Sequence, residues 1–258
     1  MSSMKRHGPR GRCWREVRVA GRSRGAAHLR GGHRRASRRV AVGALVLVVA
    51  LATSGCQLAR TMVDVGAADP GERVVALTFD DGPDPANTPQ LLDVLRRHGV
   101  HATFFVLGSQ AQRHPSLLDR IVREGHGVAN HTWNHKRLTT VSDAVVAAEV
   151  GWTHGWLAGR GIQSRCVRPP YGATDARVDR LIRRHAESSY TMLWSVDSRD
   201  WERPPVNQIV NNVMSRVHPG AVILFHDGGG DRSRTVAAVD QLIPRLRAAG
   251  YDIAPICK

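Results

Sequence analysis

The sequence predicts a parallel α/β domain whose sheet curls into a barrel-like form. Three observations predict it. First, apolar, β-rich runs at 74–79 (VVALTF), 101–106 (HATFFV), 127–130, 165–168, 190–196 (YTMLWSV), 221–225 (AVILF) and 251–256 (YDIAPI) alternate with amphipathic segments at 88–98, 115–124, 142–158, 175–186, 206–217 and 234–248. That alternation builds a parallel sheet covered by helices. Second, no G-x-G-x-x-G turn and no Walker sequence opens a helix, which argues against a dinucleotide or nucleotide site. Third, polar clusters follow directly on the strand ends, where barrels collect their active sites.

The elements justify themselves in order. In TPQLLDVLRRHG, Thr88 can cap, Pro89 sits at the first helical position and Gly99 ends the helix. HPSLLDRIVREG repeats the scheme with Pro115 and Gly125. In 142–158, Trp152 and Trp156 stand four apart and read as packing one helix face. Cys166 and Cys257 read either as buried small hydrophobes or as a bridge in an exported protein.

Composition bounds the class. The 258 residues suffice for one sizeable domain. The net charge of +15 suggests a nucleic-acid partner, but residues 1–55 hold 13 of the 37 Lys and Arg and a single acid. The rest carries only about +3, so no nucleic-acid footprint is expected on the folded part. Residues 1–55 read as a basic, disordered leader ending in the hydrophobic segment AVGALVLVVALATSG, short for a membrane span. Cys56 follows Ser54 and Gly55, which resembles a bacterial lipoprotein cleavage box with Thr53 where Leu is usual. Lipidation of Cys56 would anchor an exported protein on the outer face of the cytoplasmic membrane. Ordinary secretion and an uncleaved N-terminal anchor are the alternatives. Residues 56–71 read as a linker and 72–258 as the single catalytic domain.

Five clusters carry the chemistry. Asp80 and Asp81 open FDDGPD; His131 and His135 lie in NHTWNH; Arg168 and Tyr171 in RPPYG; Asp197, Asp200 and Trp201 in DSRDW; Leu224, His226 and Asp227 in ILFHD. Two imidazoles four residues apart share one face of a helical turn and can bind one metal, with an acid supplied from elsewhere. One Asp with two His leaves positions open for water and substrate. Beside a cation, two adjacent carboxylates both stay charged, and the second can take a proton. Alone, FDDGPD is equally a polar turn. His126 reads as structural or supporting, Asp227 as a loop at the rim, and Arg232 and Arg234 as surface or as contacts to an anionic substrate.

Together, TFDDG (78–82), HTWNH (131–135), RPPYG (168–172), DSRDW (197–201) and ILFH (223–226) resemble the five motifs of the polysaccharide deacetylases. This is the NodB-homology domain of carbohydrate esterase family 4, and the resemblance spans about residues 72–256. It implies a distorted, TIM-barrel-like (β/α) barrel of about seven units. It implies Asp81, His131 and His135 as ligands of a divalent metal, for which Zn²⁺, Co²⁺ and Ni²⁺ all suit the donors. Asp80 is implied as general base, Arg168 as its charged partner, His226 as general acid and Asp200 as the partner of His226. The Tyr171 N–H is implied as oxyanion donor, and Trp201 and Leu224 as walls around sugar and acetyl methyl. The expected activity is N-deacetylation of a GlcNAc-containing polysaccharide, peptidoglycan first and chitin oligomers second. An O-acetyl esterase acting on xylan and a non-catalytic carbohydrate-binding lipoprotein are the alternatives. No protein partner can be inferred.

Overall fold

The computed structural model describes residues 73–258 apart from Ser188. The basic leader, Cys56 and the whole linker expected at 56–71 lie outside the described residues. In chain order the elements are β1 (Val74–Asp80), α1 (Thr88–His98), β2 (Thr103–Val106), α2 (Gly108–Arg113), α3 (Pro115–Arg123), β3 (Gly127–Asn130), α4 (Asp143–Ala158), β4 (Cys166–Val167), α5 (Ala176–His185), β5 (Tyr190–Thr191), β6 (Val196–Asp197), α6 (Val206–Met214), β7 (Val222–His226), α7 (Ser233–Ala248) and β8 (Asp252–Ile253). No helix among the described residues is long and apolar enough to cross a membrane.

All strand pairs are parallel, and seven strands follow one path, β5-β4-β3-β2-β1-β7-β6, with β8 beside the start of β1. The expected α/β barrel-like sheet is therefore present. Its curl follows from chain length. β5 and β6 sit at opposite ends of the path, yet only residues 192–195 join them. That connector reaches about 17 Å when extended. A flat seven-strand sheet would be about 29 Å wide. The sheet has to bend into a distorted barrel. The run expected over 190–196 is thus two strands: Met192–Ser195 leaves one edge and arrives at the other.

The faces of the sheet divide the core. On β1, Val75, Leu77 and Phe79 face outward under α1, α3, α6 and α7. Phe79 lies in register between Phe104 and Phe225, with ring centroids 5.3 and 5.6 Å away. Each such pair adds about 0.5–1.5 kcal/mol beyond area burial. Val74 and Ala76 face inward with Phe105, Ala129, Cys166, Ile256 and Cys257. α4 and α5 cover β4 through Val146, Val150, Val178 and Ile182. α1 ends at Gly99, whose φ of 58° is the left-handed cap that Gly supplies. Thr88, read as a cap, is instead the first helical residue. α2 has no counterpart in the sequence reading; six residues are too few to show a helical period. Of the expected tryptophan pair, Trp156 packs on the core while Trp152 is exposed.

Two devices brace the open barrel. Below, the C-terminal segment runs from β8 under β2, where Ile256 N–H donates to Thr103 Oγ1 (2.9 Å) and Thr103 Oγ1 donates to Ile256 O (2.9 Å). Cys257 then bonds Cys166 of β4. Above, the fully buried Arg168 fills the interior. It donates to Asp80 Oδ1 at 2.7 Å and Thr78 Oγ1 at 2.9 Å on β1, and to the carbonyls of Met192 (3.2 Å) and Leu193 (3.1 Å) in the connector. Its guanidinium carbon lies 3.8 Å from the Phe105 ring centroid.

The disulfide spans a sequence separation of 91 residues, so it removes much loop entropy from the unfolded chain. Cys257→Ser is expected to lower the unfolding free energy by about 3–5 kcal/mol. Guanidinium titration of both proteins without reductant measures this; coincident midpoints would contradict it.

Candidate active site

Each site residue lies at the C-terminal end of a strand or just beyond it. Asp80 ends β1 with its side chain inward and is 2% exposed. Asp81 follows at φ 76°, a left-handed conformation that Asp tolerates better than most residues. The 228–230 loop after β7 presses against it. A Cβ on Gly228 would sit 2.4 Å from the Asp81 carbonyl oxygen, so only glycine fits there.

His131 and His135 do not form the helical turn expected of their spacing. They flank a tight loop in which Thr132 (φ 72°) and His135 (φ 60°) are left-handed. His131 Nδ1 lies 2.7 Å from the Arg168 carbonyl oxygen. A carbonyl only accepts, so Nδ1 carries the proton and Nε2 is left bare toward the pocket. The Nε2 atoms of His131 and His135 are 3.4 and 3.2 Å from Asp81 Oδ1. That oxygen is buried and accepts no hydrogen bond.

One ligand atom from each of Asp81, His131 and His135 fits within a 4.8 Å span. Burial alone raises the Asp81 carboxyl, but the His131 contact and the charges of His131, His135 and His226 hold it well below the usual carboxylate range. Burial likewise pulls His131 down, yet Asp80 and Asp81 push it above its ordinary value. The two carboxylates thus demand positive charge between them. An orphaned carboxylate oxygen facing two imidazole nitrogens meets that demand as a divalent-metal site with N and O donors.

His226 ends β7, the strand beside β1, in register with Asp80. Its Nδ1 is 2.8 Å from Asp200 Oδ1, and its backbone N–H donates to Asp200 Oδ2 at 2.9 Å. Thr235 Oγ1 also donates to Asp200 Oδ2, at 2.8 Å. Burial lowers the His226 pKa, but the Asp200 hydrogen bond and charge, with Asp80 and Asp81 behind them, raise it to about 9. Tyr171 is left-handed (φ 62°). Among the described residues no acceptor takes its N–H; the neighbouring amides of Gly172 and Ala173 donate to the carbonyls of Pro169 and Pro170.

Asp80, Asp81, His131, His135, Tyr171, Trp201, Leu224 and His226 all line one cavity of about 360 Å³. Arg168 and Asp200 stand behind it, each on the residue expected of it. Trp194, in the connector, lines the cavity too and was not foreseen. Glu149 was also missed. It is buried on α4 and accepts from the N–H groups of Trp133 (3.0 Å) and Asn134 (2.7 Å), between the two histidines. A Glu within a helical run reads as an ordinary surface acid. His126 lies at the other end of β3 from His131, accepts from Ala102 N–H and is structural. Asp227, expected in a rim loop, is 1% exposed and accepts from Thr88 Oγ1 at 2.5 Å. Arg232 is buried against the carbonyls of Gly228 and Gly229, while Arg234 is exposed on the surface.

Known proteins share this architecture. The family model for polysaccharide deacetylases matches residues 67–188. A peptidoglycan-N-acetylglucosamine deacetylase of Bacillus cereus is 41% identical over 189 residues, 70% of this chain and 84% of that protein. A chitooligosaccharide deacetylase of Bradyrhizobium is 43% identical over 204 residues, 72% of this chain and 90% of that protein. A crystal structure of a peptidoglycan N-acetylglucosamine deacetylase superposes with a TM-score of 0.68 at 37% identity, covering 72% of this chain and 86% of the other. Identity at this level over most of each relative's length, carried on the same barrel, places the chain in one family: it belongs to the polysaccharide deacetylases of carbohydrate esterase family 4.

Proposed function

We propose that the chain removes N-acetyl groups from the GlcNAc units of peptidoglycan, with chitin oligomers as the second substrate. The observation that carries the chemistry is the orphaned Oδ1 of Asp81 facing both histidines, in the cavity that Asp80 and His226 also line. The similarity to a peptidoglycan-N-acetylglucosamine deacetylase and a chitooligosaccharide deacetylase supports GlcNAc-containing polymers as the substrate class. An outer-face lipid anchor at Cys56 would favour the wall polymer.

A Zn²⁺ ion held by Asp81, His131 and His135 would polarise the acyl carbonyl and lower the pKa of attacking water. Asp80 is the base that takes the water's proton. One of its oxygens is held by Arg168, which keeps the carboxylate aimed into the pocket. The Tyr171 N–H is free to donate to the oxyanion. His226, held by Asp200, presents Nε2–H to the amide nitrogen and protonates it as acetate leaves. Leu224 and Trp194 wall the acetyl methyl, and the half-exposed Trp201 offers a face for the sugar.

Purified protein incubated with N-acetylated peptidoglycan, chitin oligomers and acetylated xylan should release acetate from the first two, and chelator should abolish release. Release from xylan alone would favour the esterase reading, and none from any of the three would defeat enzymatic function. Asp80→Asn should cut kcat by about 10²–10⁴ while zinc binding persists, because the base is lost and the ligands are kept. His226 must begin protonated, so the rate should fall as pH rises through about 9. Asp200→Asn removes the charge that raises it, and the alkaline limb should then move about 1–2 pH units lower. A pH–rate profile with unchanged limbs would contradict the assignment.

A further inference from the structure

In the loop from Thr132 to Asn134, which joins the two histidine ligands, all three N–H groups and two of the three carbonyls are hydrogen-bonded. Thr132 N–H donates to Asn130 Oδ1 at 2.8 Å. The carbonyls of Thr132 and Trp133 accept from Gly108 N–H (2.9 Å) and Ser109 N–H (3.1 Å) at the start of α2. The remaining two amides, of Trp133 and Asn134, both donate to one atom, Glu149 Oε2. Glu149 is 3% exposed and forms no ion pair among the described residues. Burying a carboxyl group is costly unless its oxygens find hydrogen-bond donors. Here one oxygen accepts from two adjacent N–H groups of a loop that contains left-handed Thr132 and runs directly into left-handed His135.

The packing around Glu149 serves the same loop. Trp133 lies so close over Gly108 that a Cβ there would come within 2.3 Å of the indole ring. One helical turn beyond Glu149, Trp152 meets the Trp133 ring edge-on, with centroids 6.2 Å apart. Asn130 ties the base of the loop to α4 by donating to Val150 O at 3.0 Å. Nothing else on α4 grips the two amides. Left-handed residues persist only where surrounding structure over-determines them.

We infer that Glu149 is a positioning residue for the metal: through the Trp133 and Asn134 amides it holds His135 at the distance from His131 that one ion requires. It never touches substrate. This inference rests on the reading of Asp81, His131 and His135 as the metal triad. Its chemistry needs an acceptor rather than a charge as such, because a Gln carbonyl oxygen in the same place can accept both N–H groups.

The test measures zinc dissociation constants by chelator competition, and visible spectra of the Co²⁺-loaded proteins, for wild type and for Glu149→Ala, Glu149→Asp and Glu149→Gln. Far-UV circular dichroism and thermal melts report folding. Glu149→Ala should bind zinc about 10–100-fold more weakly, the range typical of losing a partner that orients a metal ligand. Its Co²⁺ bands should be altered. Glu149→Asp, too short to reach both amides, should weaken binding in the same direction, whereas Glu149→Gln should stay within about threefold of wild type by keeping the acceptor. A folded Ala or Asp variant with wild-type affinity and spectrum would overturn the inference. So would a folded Gln variant as weak as Ala, since that would make charge the operative property. If Ala fails to fold, Asp and Gln decide by the same criteria. Wild-type protein that binds no zinc would defeat the metal reading itself, a separate outcome from wild-type binding with indifferent Glu149 variants.

Discussion

The buried pair of Asp80 and Arg168 is the contact on which the rest depends. Two charges taken out of water cost several kcal/mol each, and their attraction repays that only with good geometry and further hydrogen bonds. Arg168 has both. It meets Asp80 at 2.7 Å, spends its other donors on Thr78 and on two carbonyls of the connector, and lies over the Phe105 ring. A hydrophobic side chain of similar volume could fill the same space. It could not fasten β1 to the 192–195 connector and hold a carboxylate at the barrel mouth in one contact.

The Arg168 backbone extends that control to the metal. Its carbonyl oxygen accepts from His131 Nδ1, so the residue that orders Asp80 also sets the tautomer of a ligand. Asp81 is bound to the same spot by chain continuity. Around it, Asp81, Thr132, His135 and Tyr171 all take left-handed backbone conformations. Such residues cost about 1–3 kcal/mol each and persist where a rigid scaffold outweighs them. The phenylalanine row beneath β1 and the disulfide at the opposite end supply that scaffold.

Electrostatics gives the pocket two kinds of group side by side. At the end of β1, Asp80 and Asp81 favour positive charge, and Asp81 stays ionised. At the end of the neighbouring β7, Asp200 keeps the His226 proton in place up to about pH 9. A proton acceptor and a proton donor therefore line one cavity near neutral pH, an arrangement suited to moving one proton off water and another onto a leaving nitrogen.

Much of this was legible in the chain itself. VVALTF reads as a strand because it is apolar and β-rich, and Asp80 and Asp81 stand out because acids are costly right after such a run. The candidate ligand and acid–base residues are likewise polar groups at strand ends, and the resemblance of their five clusters to the deacetylase motifs is what assigned their expected roles. Glu149 was not legible, since its meaning lies in two amides contributed by a loop far from it in the chain. Neither was the division of YTMLWSV into two strands, because both halves are equally β-rich. Only the curl of the sheet places them on opposite edges. Cys166 and Cys257 carry no sign of contact at a separation of 91 residues. Sequence by itself determined which side chains are candidates for chemistry, because the five clusters that resemble the deacetylase motifs are each local in the chain. Tertiary structure alone decided how they are held, because an orphaned oxygen, a shared acceptor and a curled sheet exist only when distant segments meet.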